Sequence, residues 1–283
     1  SLNEIFGKRY PKYFRKEHIN YYKEQSPEEL AMINYTSGTT GFSKGVMLPY
    51  RALWGNIDYV LKCLTPNVKP GSNLVSILPM AHMYGLAVEF LFGFINGCHL
   101  YFLNRMPSPS LIAEAFAEVK PRLIVAVPLV IEKIIRRKVL AEVQTNRMKL
   151  LLNMPVINKK IKQHIRDRIM EAFGGNAFEI IVGGAPLNQG IEEFLNSVGV
   201  PVTIGYGTTE TAPLITFANY DKYKIASCGP VVDHMEAKVV SPDPANVPGE
   251  LIARGMNVML GYYKNEEATN AVLDKDGWFH TGD

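Results

Sequence analysis

Cysteine is scarce. The 283 residues hold three, Cys63, Cys98 and Cys228, odd in number and far apart, which argues against a disulfide framework and predicts free thiols in a reducing compartment. Their spacing fits no zinc pattern, and the six histidines form no ligand pair at helical or strand spacing, so no structural metal is expected. An excess of one charge sign is also missing. A net charge of +3 is too small to imply a nucleic-acid partner. Nor is there a long unbroken apolar run. The longest candidate, Leu86 to Leu103, is interrupted by Glu89, Asn96, Gly97 and His99, and reads as a buried helix, a turn at Gly97 and a strand. Ser1-Leu2-Asn3-Glu4 shows no basic stretch leading into an apolar core, so no signal peptide is predicted. These absences predict a cytoplasmic globular protein, long enough for a large core and more than one lobe.

What is present begins with alternation. Strand-length apolar pieces (Leu74–Leu78, Cys98–Leu103, Leu123–Val127, Glu179–Val182, Val202–Tyr206) alternate with helical ones. The helices are Arg51–Leu64, about His82–Ile95, Pro109–Val119, a long stretch ending at Phe173, and Gly190–Ser197. Leu123-Ile124-Val125-Ala126-Val127 is apolar throughout, as a strand buried on both faces must be. The predicted fold class is α/β, an open, mainly parallel sheet with flanking helices, whose ligands sit at the carboxyl ends of strands. From about Asp221 the texture changes to short β-prone pieces (Ala237–Val240, Glu250–Ala253, Met259–Tyr262) and one helix, Glu266–Val272. Residues 1–220 are therefore expected to form the α/β lobe, with polar 1–29 as a surface connection. Residues 221–283 are expected to form part of a small β-barrel-like lobe.

The most informative stretch is Tyr35-Thr36-Ser37-Gly38-Thr39-Thr40-Gly41-Phe42-Ser43-Lys44-Gly45-Val46. Apolar residues on both sides, Leu30–Ile33 and Val46–Leu48, make it a loop between two short strands. From Thr36 to Lys44 it carries five hydroxyls, two glycines and one cation. Glycines let backbone N–H groups turn toward a ligand, hydroxyls add donors, and Lys44 adds a full charge. That set suits a polyphosphate. No register satisfies a Walker A loop. Gly41-Phe42-Ser43-Lys44-Gly45 has the spacing of a hydrolase nucleophile elbow, but an elbow must open a helix and Pro49 follows too soon. A flexible linker would not be flanked so tightly by apolar residues.

Between Lys133 and Arg168 stand eleven Lys and Arg against Glu142 and Asp167. Ile157, Ile161, Ile165 and Ile169 recur every four residues and share one helix face, with the charges opposite. Such a pattern reads first as the solvated face of a surface helix. The alternative is docking on an anionic membrane surface. Nucleic acid ranks below both, because interleaved aromatic residues are missing.

Two further stretches follow predicted strands: Val182-Gly183-Gly184-Ala185-Pro186 and Gly205-Tyr206-Gly207-Thr208-Thr209-Glu210-Thr211-Ala212-Pro213. Glycines allow a flat base to approach the backbone, Tyr206 can stack on it, and Glu210 offers a hard oxygen to a phosphate-bound magnesium. Each alone reads equally well as a strand-to-loop turn. In this order, with the phosphate loop upstream and Trp278-Phe279-His280-Thr281-Gly282-Asp283 downstream, the set resembles the adenylate-forming superfamily of acyl-CoA synthetases, luciferases and peptide-synthetase adenylation domains. The resemblance runs from Tyr35 to Asp283. Family members usually carry Pro where Ser43 stands and often Met where Thr208 stands; Lys44 and Glu210 are kept.

The resemblance implies ATP, Mg2+ and coenzyme A as reaction partners of a carboxylic acid. It implies that Ser37, Thr39, Thr40 and Lys44 hold the β- and γ-phosphates, within a loop formed by Thr36, Gly38 and Gly41, and that Glu210 binds magnesium. Gly184, Ala185, Pro186 and Tyr206 would flank the adenine, with Gly207 also in the cofactor site, Thr208 or Thr209 would contact the α-phosphate or the substrate carboxylate, and Asp283 would accept the ribose hydroxyls. Leu78-Pro79-Met80-Ala81-His82-Met83-Tyr84-Gly85 resembles the start of the family's acyl pocket, with His82 at the gate between acyl and pantetheine channels. As a bare residue, His82 reads equally as a core or surface histidine. The pocket segment has no carboxylate to pair an amino acid's ammonium group, so an apolar acid is expected. Pro128-Leu129-Val130-Ile131-Glu132-Lys133-Ile134 and the basic stretch after it look most like long-chain fatty acid–CoA ligases. An acyl-AMP ligase loading a carrier protein, and a nucleotide- or lipid-binding module without turnover, are the alternatives. The family continues past Asp283 into a lid that carries a further lysine, and has a lobe before the phosphate loop. The chain is thus expected to be the central portion of a larger enzyme, with little turnover alone.

Overall fold

The computed structural model describes residues 26–36, 43–136 and 155–283, with side chains from residue 159 onward in the last span. Ser37, Gly38, Thr39, Thr40 and Gly41 lie outside the described residues, as do 137–154 of the basic segment. The first described elements are β1 (Leu30–Thr36) and β2 (Lys44–Pro49), an antiparallel hairpin in which Thr36 faces Lys44. Residues 37–42, which join the two strands in sequence, are not among the described residues. Helix α1 (Tyr50–Leu64) follows directly.

The centre is a five-stranded parallel sheet of β3 (Asn73–Ser76), β4 (His99–Phe102), β5 (Leu123–Ala126), β6 (Glu179–Val182) and β7 (Val202–Ile204), in the order β4-β3-β5-β6-β7. The order reverses between β3 and β5, which opens a crevice at their carboxyl ends. Helices cover both faces. On one, α3 (Pro109–Val119), α4 (Pro128–Ile135), α5 (Pro155–Ala172) and α6 (Gln189–Ser197) bury Phe116, Ile131, Ile169 and Leu195 against Ile124 and Ile180. On the other, α1 and the helix ending in α2 (Phe92–Ile95) bury Val60, Leu64, Val88 and Phe92 against Leu123, Val125 and Ile181. Successive strand residues thus feed opposite cores, which is why β5 must be apolar throughout. In α5, Ile161, Ile165 and Ile169 pack on the core while Lys159 and Lys160 face solvent, as a solvated-face reading requires.

Several boundaries differ from expectation, and three of the differences shape the wall of a cavity. Strand β3 stops at Ser76 rather than Leu78, because the Ile77 and Leu78 N–H groups donate to the Glu89 carboxylate instead of a neighbouring strand (3.2 and 3.1 Å). The helix expected from His82 runs as a wide π-type segment over Gly85–Leu91 and becomes α-helical only in α2. The strand expected over Val202–Tyr206 breaks at Gly205: β8 (Tyr206–Gly207) leaves the parallel sheet and pairs antiparallel with β9 (Leu214–Thr216).

Beyond residue 221, β10 (Met235–Val240), β11 (Glu250–Gly255) and β13 (Phe279–His280) form an antiparallel sheet. Between them β12 (Gly261–Tyr262) pairs with β2, Tyr262 opposite Val46, and α7 (Glu266–Val272) follows. Arg51 of α1 fastens the approach to β12, donating to the Met256 and Val258 carbonyls at 2.7 and 2.8 Å. Among the described residues, no helix is long and apolar enough to cross a membrane.

Candidate nucleotide and acyl site

A cavity of about 700 Å³ lies at the carboxyl ends of the parallel strands. Pro79 after β3, Pro107 after β4, Val127 after β5, Gly183 and Gly184 after β6, and Gly205 to Thr209 after β7 all line it. Its walls are of two kinds. Tyr206, Thr208 and Thr209 contribute hydroxyls, while Val60, Leu64, Val88, Leu214 and Phe217 contribute apolar surface. No Asp or Glu is among its lining residues.

Of the sequence-selected residues, His82, Gly184, Tyr206, Gly207, Thr208 and Thr209 line this cavity. Tyr206 donates from its hydroxyl to Asp283 Oδ2 at 2.6 Å, joining the strand-end motif to the final motif. Burial and the Asp283 carboxylate both raise the Tyr206 phenol well above its ordinary range, so it stays a neutral donor. Asp283 is fixed by its backbone, which accepts from Leu251 N at 3.0 Å. Gly184 takes φ +80, a left-handed turn that directs the chain over the cavity. Gly207 has a different reason: a Cβ there would stand 1.7 Å from the Pro213 carbonyl oxygen, so its glycine serves the β8–β9 approach. Thr208 caps the short turn Thr209–Thr211 reciprocally with Thr211. His82 is exposed and lines the cavity near the half-buried Tyr84, whose hydroxyl donates to the Ile181 carbonyl at 3.1 Å. Ala185 and Pro186 are exposed beside the cavity and are not among its lining residues.

Ser43, at the position where family members usually carry Pro, donates from its hydroxyl to the Thr36 carbonyl at 2.7 Å. Lys44 projects over the Tyr262 ring, 4.8 Å from its centroid. The Tyr262 hydroxyl in turn donates to Glu210 Oε1 at 2.8 Å. Lys44, Tyr262 and Glu210 thus form one chain of contacts from three distant parts of the sequence. Glu210 offers a single carboxylate, and no cluster of three or more His, Cys, Asp or Glu is found among the described residues. A single carboxylate is a hard oxygen donor of the kind a phosphate-bound magnesium could take as one ligand.

A family model described as AMP-binding enzyme matches residues 6–263. The chain belongs to the AMP-binding enzyme family. The resemblance to adenylate-forming enzymes read from the motifs is borne out. The chain is 33% identical over 268 residues to a long-chain-fatty-acid–CoA ligase of Escherichia coli O6:H1, covering 92% of this chain and 42% of that protein. It is 32% identical over 289 residues to long-chain-fatty-acid–CoA ligase 5 of Mus musculus, covering 95% and 42%. The solved structure of ATP-bound MatB from Rhodopseudomonas palustris matches with a TM-score of 0.69 at 27% identity, over 92% of this chain and 46% of that one. The chain therefore spans about 42% of the length of these curated relatives.

Two residues of the site do not stand out in the sequence. Tyr262 belongs there to a β-prone piece, and its partners become visible only through the β12–β2 register. Glu89 does leave a signal, as the first charge to break the apolar run. It is 1% exposed, and besides the two backbone donors it accepts from the Ser76 hydroxyl at 3.0 Å. It thereby anchors the segment that leads into Leu78, Pro79 and His82 on the cavity wall.

Proposed function

We propose that the complete protein activates a long-chain fatty acid with ATP and passes the acyl group to coenzyme A. The observation that carries this reading is a cavity lined by Tyr206, Gly207, Thr208 and Thr209, with Asp283 joined through Tyr206, and otherwise largely by apolar side chains, with no carboxylate among its lining residues. An amino acid's ammonium would be left unpaired in such a chamber; an alkyl chain would not. The curated relatives named above support the same substrate class.

In this reading the fatty acid carboxylate attacks the α-phosphate of ATP, pyrophosphate leaves, and the thiol of coenzyme A then displaces AMP. A carboxylate is a poor electrophile, and AMP leaves far more readily than oxide. Catalysis rests on positioning and on neutralising phosphate charge. Lys44 would hold the β- and γ-phosphates with the loop from Thr36 to Gly41. Thr208 or Thr209 would donate to the α-phosphate or the substrate carboxylate. Tyr206 with Gly184, Ala185 and Pro186 would flank the adenine, with Gly207 also in the cofactor site, and Asp283 would accept the ribose hydroxyls. His82 would stand at the acyl gate. Magnesium bound at Glu210 would spread phosphate charge and favour pyrophosphate as leaving group.

We place the protein in the cytoplasm, with residues 1–220 as the nucleotide- and acyl-binding lobe and 221–283 as a β-rich lobe. The basic stretch from Lys133 to Arg168 would supply any peripheral contact with an anionic membrane. The 283 residues by themselves are expected to turn over little.

The test is ATP-dependent pyrophosphate release by the complete protein with hydroxylamine as acyl acceptor. The panel of acids would run from acetate to palmitate and include amino and aryl acids. Release confined to long fatty acids is the expected result. Release with amino or aryl acids alone would refute the substrate class, and thioester formation with a carrier protein but not with coenzyme A would favour an acyl-AMP ligase. Within the same assay, Tyr206→Phe should raise the KM for ATP about tenfold with kcat nearly unchanged, because a hydrogen bond to a charged group is lost from binding. A fall in kcat at unchanged KM would count against an adenosine-side role.

A further inference from the structure

Tyr262 touches both charged groups that the proposed reaction needs, and the fold gives it little freedom. Its strand is held on β2 by Leu260 N to Met47 O at 2.9 Å and Tyr263 N to Gly45 O at 2.7 Å. Its own N–H donates to Thr269 Oγ1 of α7 at 2.9 Å. The preceding Gly261, at φ +137, lies so close to Thr269 that a Cβ would come within 2.7 Å of its methyl group. The side chain is 5% exposed. From that fixed base the ring underlies the Lys44 ammonium and the hydroxyl donates to Glu210 Oε1. Glu210 is further secured by its carbonyl, which accepts from Met259 N at 2.8 Å in the same segment.

A cation and a carboxylate that share one neighbour attract each other, and if their side chains met as an ion pair each would be spent. Among the described ion pairs, none joins Lys44 to Glu210. Tyr262 offers each a separate partner: the π-face takes the ammonium and the hydroxyl takes the carboxylate. We propose that Tyr262 is a positioning residue that holds Lys44 and Glu210 apart, keeping the ammonium available to phosphate and the carboxylate available to a cation. The inference rests on the proposed use of ATP. It adds a residue that acts through two others and touches no reacting atom.

The test measures ATP binding by the complete protein in EDTA, by calorimetry, so that neither turnover nor magnesium enters. Tyr262→Phe keeps the ring and its packing but removes the hydroxyl. With Glu210 present, it is expected to weaken ATP about tenfold, as the freed carboxylate turns onto Lys44. In a Glu210→Gln background the same substitution is expected to change affinity less than about twofold, because an amide cannot form the ion pair. A residue that merely supports the fold would show equal losses in both backgrounds. Equal losses, or no loss with Glu210 present, would overturn the inference. A second variant, Tyr262→Leu, removes the ring as well and should weaken ATP in both backgrounds; if it binds ATP as the unaltered protein does, the ring has no role and the inference fails. Absence of ATP binding by the unaltered protein would instead refute the functional reading, and the inference with it.

Discussion

Lys44→Ala is expected to cut ATP-dependent pyrophosphate release by the complete protein about a hundred- to a thousand-fold, the range seen when one preorganised group facing transition-state charge is removed. The fold should hardly notice. Lys44 is the first residue of β2, and its backbone pairing with Thr36 does not depend on the side chain. Alanine forfeits the cation–π interaction with the Tyr262 ring, worth about 0.5–2 kcal/mol. Lys44→Arg keeps the charge but replaces a compact ammonium with a planar fork, so it should recover part of the rate. Steady-state release at saturating ATP, with a melting curve for each variant, separates the two effects. An alanine variant within tenfold of the unaltered protein would remove Lys44 from the phosphate site, and a matching collapse of the melting temperature would make its effect structural.

The family was legible because the stretch from Thr36 to Lys44 sets particular residue types side by side: hydroxyls, glycines and a cation within nine positions. The parallel sheet was legible for a similar reason. Strands buried on both faces, such as Leu123–Ala126 and Glu179–Val182, must be apolar almost throughout, and that shows without a partner. Short elements carry no such signature. β9 has three residues after a proline, too few for any periodicity to declare itself.

Contacts across the chain are a different matter. Tyr206 and Asp283 each stand in a motif, yet nothing in the 77 positions that separate them says that their side chains meet. Tyr262 was harder still, since its role depends on one register, Tyr262 opposite Val46, and on Glu210 arriving from a third segment. A sequence states what a residue can do; register decides what it does it to. Glu89 sits between these cases. The break it makes in an apolar run announces a buried carboxylate with a job, but its partners, two N–H groups and a hydroxyl, are groups whose orphan status appears only once β3 is seen to end at Ser76.

That buried carboxylate predicts a pH dependence of stability. Burial pushes the Glu89 carboxyl from its ordinary 4.5 up to about 8, against the opposing pull of three hydrogen-bond donors. The Ser76 hydroxyl can turn to accept the retained proton. Between 4.5 and about 8 the folded chain holds a proton that the unfolded chain has released, so stability should fall as pH rises through that window and level off above it. The decline amounts to on the order of 5 kcal/mol for this group. Glu179, also fully buried, is pushed up to about 7 and acts in the same direction over a narrower range, so the difference between variants is the informative quantity. Glu89→Gln removes the titration but leaves either the Ile77 or the Leu78 N–H facing an amide NH2, a penalty of about 1–3 kcal/mol. The glutamine variant should therefore be the less stable protein near pH 5 and the more stable one near pH 9. Urea unfolding at pH 5, 7 and 9 tests this, and a difference that stays constant across the series would refute it.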